Sequence, residues 1–113
     1  KDTLMATNYI SGGNTVDYTA GGSAITSGQV VLIGTRVGVA KDAIAANTAG
    51  VLHVTGVWSA AKLSTDVVTQ GAALYWDNTN SRFTLTSAGN TLAGWAFAAA
   101  GNGVTTVQIK LLG

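Results

Sequence analysis

The chain has 113 residues, a formal net charge of +1, one His and no Cys. Charged residues make up 10% of it, against about 25% in an average soluble domain, while 47% is apolar. These values suit one folded domain and exclude a disordered chain, a disulfide scaffold and thiolate chemistry.

Six basic residues, Lys1, Arg36, Lys41, Lys62, Arg82 and Lys110, are scattered along the sequence. A nucleic-acid binder instead needs clustered cations to release counterions. Pro is absent and all five acidic residues are Asp. Thr, Ser, Asn and Gly must therefore keep the surface soluble, and a weakly charged surface of that kind suits close contact with other proteins.

The N-terminal "KDTLMATNYI" has no apolar run of the kind that marks a secretory signal. Met5 followed by Ala-Thr-Asn-Tyr reads as a natural start, with Lys1–Leu4 an upstream extension or an expression remnant. We expect residues 1–10 to form an N-terminal arm and residues 11–113 a single β domain. Gly recurs every few residues, and each interior Gly costs a helix about 1 kcal/mol relative to Ala. Strand patterns recur at short spacing with turn residues between them. They predict strands near 5–10, 14–19, 29–33, 36–40, 50–58, 72–76, 82–87, 91–98 and 104–111. "AAKLSTDVV" at 60–68 could hold one helical turn.

Several of these segments have further character. "GQVVLIG" is apolar throughout, as in a strand covered on both faces. In "ALYWDNTNSRFTL" (73–85), Leu74 and Trp76 share one face and Tyr75 takes the other. Asp77 to Ser81 connect to a returning strand. Phe83 and Leu85 fall on its apolar face, with Arg82, Thr84 and Thr86 outward. "TLAGWAFAAA" has the Ala content of a helix, but Gly94 and the flanking turns favour a strand; at nine residues, Leu92–Ala100 is far short of the roughly 20 that cross a bilayer. "GNG" at 101–103 reads as a tight hairpin turn. "VTTVQIKLL" alternates, with Val107, Ile109 and Leu111 on one face and Thr106, Gln108 and Lys110 on the other. "SGQVVLIG…VGVA" (27–40) echoes "TQGAALYW…AGWA" (69–96). A duplicated hairpin produces such an echo, and so does chance in a chain rich in Gly, Ala and Val. The fold class expected is all-β: a small β-barrel or β-sandwich of short antiparallel strands with at most one helical turn.

Chemistry is harder to find. One His and no Cys leave too few ligands for a protein zinc site. His53, in "VLHVTGVW", reads as a partly exposed strand residue. Its rival reading, a general base beside a Ser or Asp, has no partner at recognisable spacing. Asp2, Asp17, Asp42, Asp66 and Asp77 form no tight pair. Asp77 ends a strand, and Asp42 and Asp66 fall in loops where Asp caps turns. No phosphate-cradling Gly-rich loop occurs. Trp58, Trp76 and Trp95 are expected in the core first and at an interface second.

Taken in order, the segments "MATNYISGGNTVDYTA", "ITSGQVVLIGTRVGVA", "AGVLHVTGVW", "GAALYWDNTNSRFT", "GNTLAGWAFAAA" and "VTTVQIKLLG" resemble a family of small tailed-bacteriophage proteins. The family was once grouped as a domain of unknown function and is now called capsid cement or decoration proteins. His53 stands where an acidic or polar residue is commoner, and the closing Leu-Leu-Gly replaces the usual Leu-Asn-Gly. The resemblance implies a β-rich barrel or sandwich with no enzymatic activity; beside it, the residues lead us to expect no cofactor or metal. It implies a virion protein, made in the bacterial host cytoplasm and added late to the outer face of an icosahedral head. There it would span neighbouring major capsid protein subunits, with no nucleic-acid or membrane partner. Some relatives carry a recombinase label, which the absence of an ATP-binding loop argues against here. A homo-oligomer with closed symmetry follows, since open head-to-tail contacts would give fibres. A trimer is favoured and a dimer is the alternative. The interface residues expected are Thr7, Asn8, Tyr9 and Ile10 of the arm, and Tyr75; packing of Tyr9 on its own domain is the equal alternative. A second reading is a carbohydrate-binding or host-adhesion module using Tyr75 and Trp76. A third is a small hydrolase around His53.

Overall fold

The computed structural model describes residues 13–112. The expected strand at 5–10 and four of the expected interface residues lie outside that range. The described chain forms β1 (Thr15–Thr19), β2 (Val30–Ile33), β3 (Arg36–Val39), β4 (Ala49–His53), β5 (Val57–Ala61), β6 (Ala73–Asp77), β7 (Arg82–Thr84), β8 (Thr91–Ala96) and β9 (Thr106–Leu111). Two antiparallel sheets result, ordered β1-β4-β3-β2 and β5-β9-β8-β6-β7. The fold is all-β, as the alternation predicted, and neither sheet closes into a barrel. The second sheet curls until its outer strands nearly meet, at a parallel bridge between Lys62 and Phe83.

Four expectations need correction. The strand expected at 50–58 is two strands in different sheets. The chain turns at Gly56, whose φ of +96° is a conformation side chains rarely adopt. On either side, Val54 N–H donates to the Asn14 carbonyl and Leu111 N–H to the Gly56 carbonyl, so each half follows its own sheet. The helical turn allowed at 60–68 is a reverse turn, closed by Asp66 N–H donating to the Leu63 carbonyl at 3.0 Å. "GNG" does turn, with Val104 N–H donating to the Gly101 carbonyl, but inside a longer connection between β8 and β9. Finally, Thr84 is buried at 3% exposure and Leu85 is 37% exposed, the reverse of the sequence pattern. The Asp66 carboxylate explains this. It accepts from the Thr84 hydroxyl at 2.7 Å and the Leu85 N–H at 2.9 Å, which holds Thr84 inward and ends β7.

The echo in the sequence is a duplication of backbone structure. β1 pairs with β4 from Thr15 opposite His53 to Thr19 opposite Ala49. β5 pairs with β9 in the same register, from Val57 opposite Lys110 to Ala61 opposite Thr106. Beyond each ladder, Ala20 N–H donates to the Thr48 carbonyl and Lys62 N–H to the Thr105 carbonyl, both at 2.9 Å. The bridge between Ile25 and Ile44 matches the one between Val68 and Ala100. The corners match as well. Gly28 N–H donates to the Ala40 carbonyl, and Ala40 N–H to the Gln29 carbonyl. Gly71, Ala96 and Ala72 repeat this, and Gly28 and Gly71 share a φ near +85°, at +84° and +86°. A first unit (15–53) and a second (57–111) therefore share one strand order, and β7 is an addition to the second.

Each unit has a core on its inner face, beneath its own loops. In the first unit Ala20, Ile25, Val31, Ala40, Ile44 and Leu52 cluster. In the second, Val68, Leu74, Ala96, Ala100 and Ile109 occupy the corresponding places and join Trp76, Phe83 and Leu111. Lys62 stands where the first unit has Ala20. It is only 4% exposed, and its ammonium donates to the carbonyls of Leu63 and Asp66 at 2.8 and 2.6 Å. Trp76 lies opposite Phe83, with ring centroids 4.8 Å apart in an edge-to-face contact. That pair fixes the register of the β6–β7 hairpin, as the sequence suggested.

The units also pack on each other. The outer face of β2 and β3 presents Val30, Leu32, Val37 and Val39, as Val30 lies opposite Val39 and Leu32 opposite Val37. All four belong to or pack against the second unit's core. Burying such side chains is worth roughly 1.5–3 kcal/mol each, so this seam is a main source of cohesion between the units.

Candidate interaction surface

No described residue covers the second unit's outer face. Ala73, Trp95, Lys110 and Val57 stand side by side across β6, β8, β9 and β5. Tyr75 and Leu92 form the neighbouring row. Trp95, Val57, Leu92 and Phe97 are 37%, 41%, 43% and 45% exposed. The rings of Trp95 and Phe97 lie 6.1 Å apart. A largely apolar sheet face of this kind, broken by Lys110 between Trp95 and Val57, marks a protein contact.

A β-bulge creates part of this surface. Register shifts between Leu74, opposite Gly94, and Tyr75, opposite Leu92. Ala93 is the residue left over, and it turns inward at 4% exposure while Leu92 and Trp95 both point out. Sequence alternation placed Trp residues in the core first. Trp76 is there, Trp58 is half-buried, and Trp95 is on the surface. Gly94, inside the strand pattern and at the register shift, is the local signal for such a bulge.

Of the residues expected at an interface, Tyr75 is half-buried on this outer face, while Thr7, Asn8, Tyr9 and Ile10 lie outside the described residues. Trp76 points the other way and donates its indole N–H to Asn78 Oδ1 at 3.0 Å. Tyr75 and Trp76 thus do not form one stacking platform. His53 is half-buried, with its ring 5.5 Å from that of Trp58.

The acidic residues in contact with their surroundings serve turns. Asp66 pins β7 as described. Asp77 caps the hairpin loop, with Oδ1 accepting from the backbone N–H groups of Thr79 and Asn80 and Oδ2 from the Asn80 side chain. The Asn80 side-chain bond is the largest cause holding the Asp77 carboxyl below the usual carboxylate range. The Asn80 and Thr79 backbone bonds and the Arg82 charge add to it, against a desolvation cost. An open cleft at the seam between the units is lined by Ser27, Gln29, Val30, Trp76 and Asn78 among others, with no acid–base pair. Among the described residues no group of three or more His, Cys, Asp or Glu gathers to hold a metal ion. No helix there is long and apolar enough to cross a membrane.

Comparison with curated proteins and with solved structures returns no match. A family model described as phage cement protein, however, matches residues 10–111, nearly the whole chain and both units. That match places the chain in the phage cement protein family, whose role is structural, in the phage capsid.

Proposed function

We propose that the protein decorates the outer surface of an icosahedral phage head and stabilises it by bridging neighbouring major capsid protein subunits. The family match over residues 10–111 carries this reading. The apolar outer face, set in a surface with few charges, supports it physically. A cement protein binds the assembled lattice and not loose subunits, so it stabilises the shell by mass action. Its contacts repeat across the head, and modest single-site affinity becomes strong retention through multivalency. It acts as a homo-oligomer, a trimer on three-fold and quasi-three-fold axes or a dimer on two-fold axes. It performs no catalysis. Residues 1–10 form an arm that reaches the lattice or a neighbouring copy.

Mixing the purified protein with expanded and unexpanded heads tests this. Saturable binding to expanded heads, with DNA release moved to higher temperature, is expected. Failure to bind heads of either form refutes the reading. Deleting residues 1–10 is expected to leave a folded domain that no longer decorates heads, and full binding by the truncated chain refutes the role of the arm.

A further inference from the structure

The duplication says what the second unit's bare face is for. In the first unit, Val30, Leu32, Val37 and Val39 form the outer quartet, and all four are packed against a unit of this same fold. The second unit places Ala73, Tyr75, Leu92 and Trp95 at the corresponding positions. Ala73 opposes Trp95 as Val30 opposes Val39, and Tyr75 opposes Leu92 as Leu32 opposes Val37. This quartet is apolar like its counterpart, yet no described residue covers it, and Leu92 and Trp95 stay 43% and 37% exposed. Its side chains are also the more aromatic set. Tyr75 and Trp95 replace Leu32 and Val39, and Phe97, just after the corner residue Ala96, stands where Lys41 follows Ala40. Large aromatics in place of aliphatic and charged residues are what interface cores select. The quartet itself holds no charge; the nearest, Lys110 beside Trp95, is half-buried and donates its ammonium to the Leu111 carbonyl at 3.3 Å.

We propose that the outer face of the second sheet, centred on Tyr75, Leu92 and Trp95, is where a second copy of this chain docks. Within one chain the first unit's outer face packs on the second unit's core; between chains two copies of the second unit's outer face meet about a two-fold axis, which closes the assembly. This contact rests on the homo-oligomeric part of the function proposed above and names the surface responsible.

The chain has no cysteine, so single-cysteine variants report cleanly. Light scattering of the wild type should give an oligomer. Leu92→Cys should cross-link into dimers with a short bis-maleimide, and Val67→Cys, exposed at 61% on a loop, should not. Phe97→Lys, which restores the first unit's residue, and Trp95→Glu should each weaken self-association at least about ten-fold, with the circular dichroism of the folded chain retained. A monomeric wild type at its highest soluble concentration overturns the proposal. So does a wild-type mass in both charged variants, or equal cross-linking at positions 92 and 67. If Trp95→Glu loses head binding but keeps the wild-type mass, the face belongs to the capsid and this proposal fails while the cement reading stands. If the wild type self-associates through this face but binds no heads, the cement reading fails and this one stands.

Discussion

Gly94 and Gly38 occupy the same place in the two units, and they allow a controlled perturbation of strand packing. Each lies where β8 or β3 passes closest to its neighbour. A Cβ built at Gly94 would press into the Lys110 carbonyl oxygen, with the Lys110 carbonyl carbon at 2.9 Å and Leu111 Cα at 3.1 Å. All three are backbone atoms and cannot rotate away, so the β8–β9 ladder must spread. A Cβ at Gly38 meets Leu52 Cβ at 3.2 Å, with the His53 carbonyl oxygen and Ile33 Cδ1 at 3.3 Å, and shifts of a few tenths of an ångström relieve it. Overpacking of the first kind costs about 1–3 kcal/mol. Replacing Gly by Ala also removes freedom from the unfolded chain, which favours the folded state by roughly 0.4–1 kcal/mol. Gly94→Ala should therefore destabilise by about 2 kcal/mol, taking the upper part of the overpacking range, and Gly38→Ala should stay near zero. With a urea slope of about 1–3 kcal/mol per molar, the Gly94→Ala midpoint should fall by about 1 M at fixed protein concentration. A Gly94→Ala midpoint equal to the wild type, or a larger drop for Gly38→Ala, would refute the reasoning.

Phe83 is fully buried and in edge-to-face contact with Trp76. Phe83→Ala should cost about 3–5 kcal/mol in the same denaturation assay, and Phe83→Leu clearly less. Asp66→Ala leaves the Thr84 hydroxyl and the Leu85 N–H without their acceptor; a loss of about 1–3 kcal/mol is expected, and an additional Thr84→Val should cost little on that background. Asp77 has a lowered folded-state pKa, so its contribution is fully present above the unfolded carboxylate value and is lost as pH falls through the folded one. The stability gap between the wild type and Asp77→Ala should accordingly be flat near neutrality and narrow below about pH 4; a gap that widens in acid contradicts the assignment.

What was legible in the sequence was governed by near neighbours. Val107, Ile109 and Leu111 are buried while Thr106 and Gln108 face out, because an uninterrupted strand obeys a period of two. Leu74, Trp76 and Phe83 were placed correctly for the same reason. What failed depends on distant or conformational causes. Thr84 is inside because of a carboxylate 18 residues upstream. Leu92 is outside because of a bulge opposite β6. The apolar run at 50–58 is cut by the backbone of Gly56, with no Pro to signal it. The duplication was visible only at its two Gly corners, since the units share hydrogen bonds rather than side chains. On the candidate surface, Tyr75 was expected at an interface from its place on the other face of the strand from Trp76, and Trp95 only as a second reading; Leu92 and Phe97 were not singled out.

Among the described residues every hydrogen-bonded strand pair falls within one unit, and this bears on how the chain is made. The first sheet can zip up on the ribosome before the second unit has been synthesised, and no loop it closes passes through the later segment. What it lacks at that moment is a cover for Val37 and Val39. The growing chain therefore carries a half-finished sandwich with one greasy side bare, and synthesis of residues 57–111 supplies the lid.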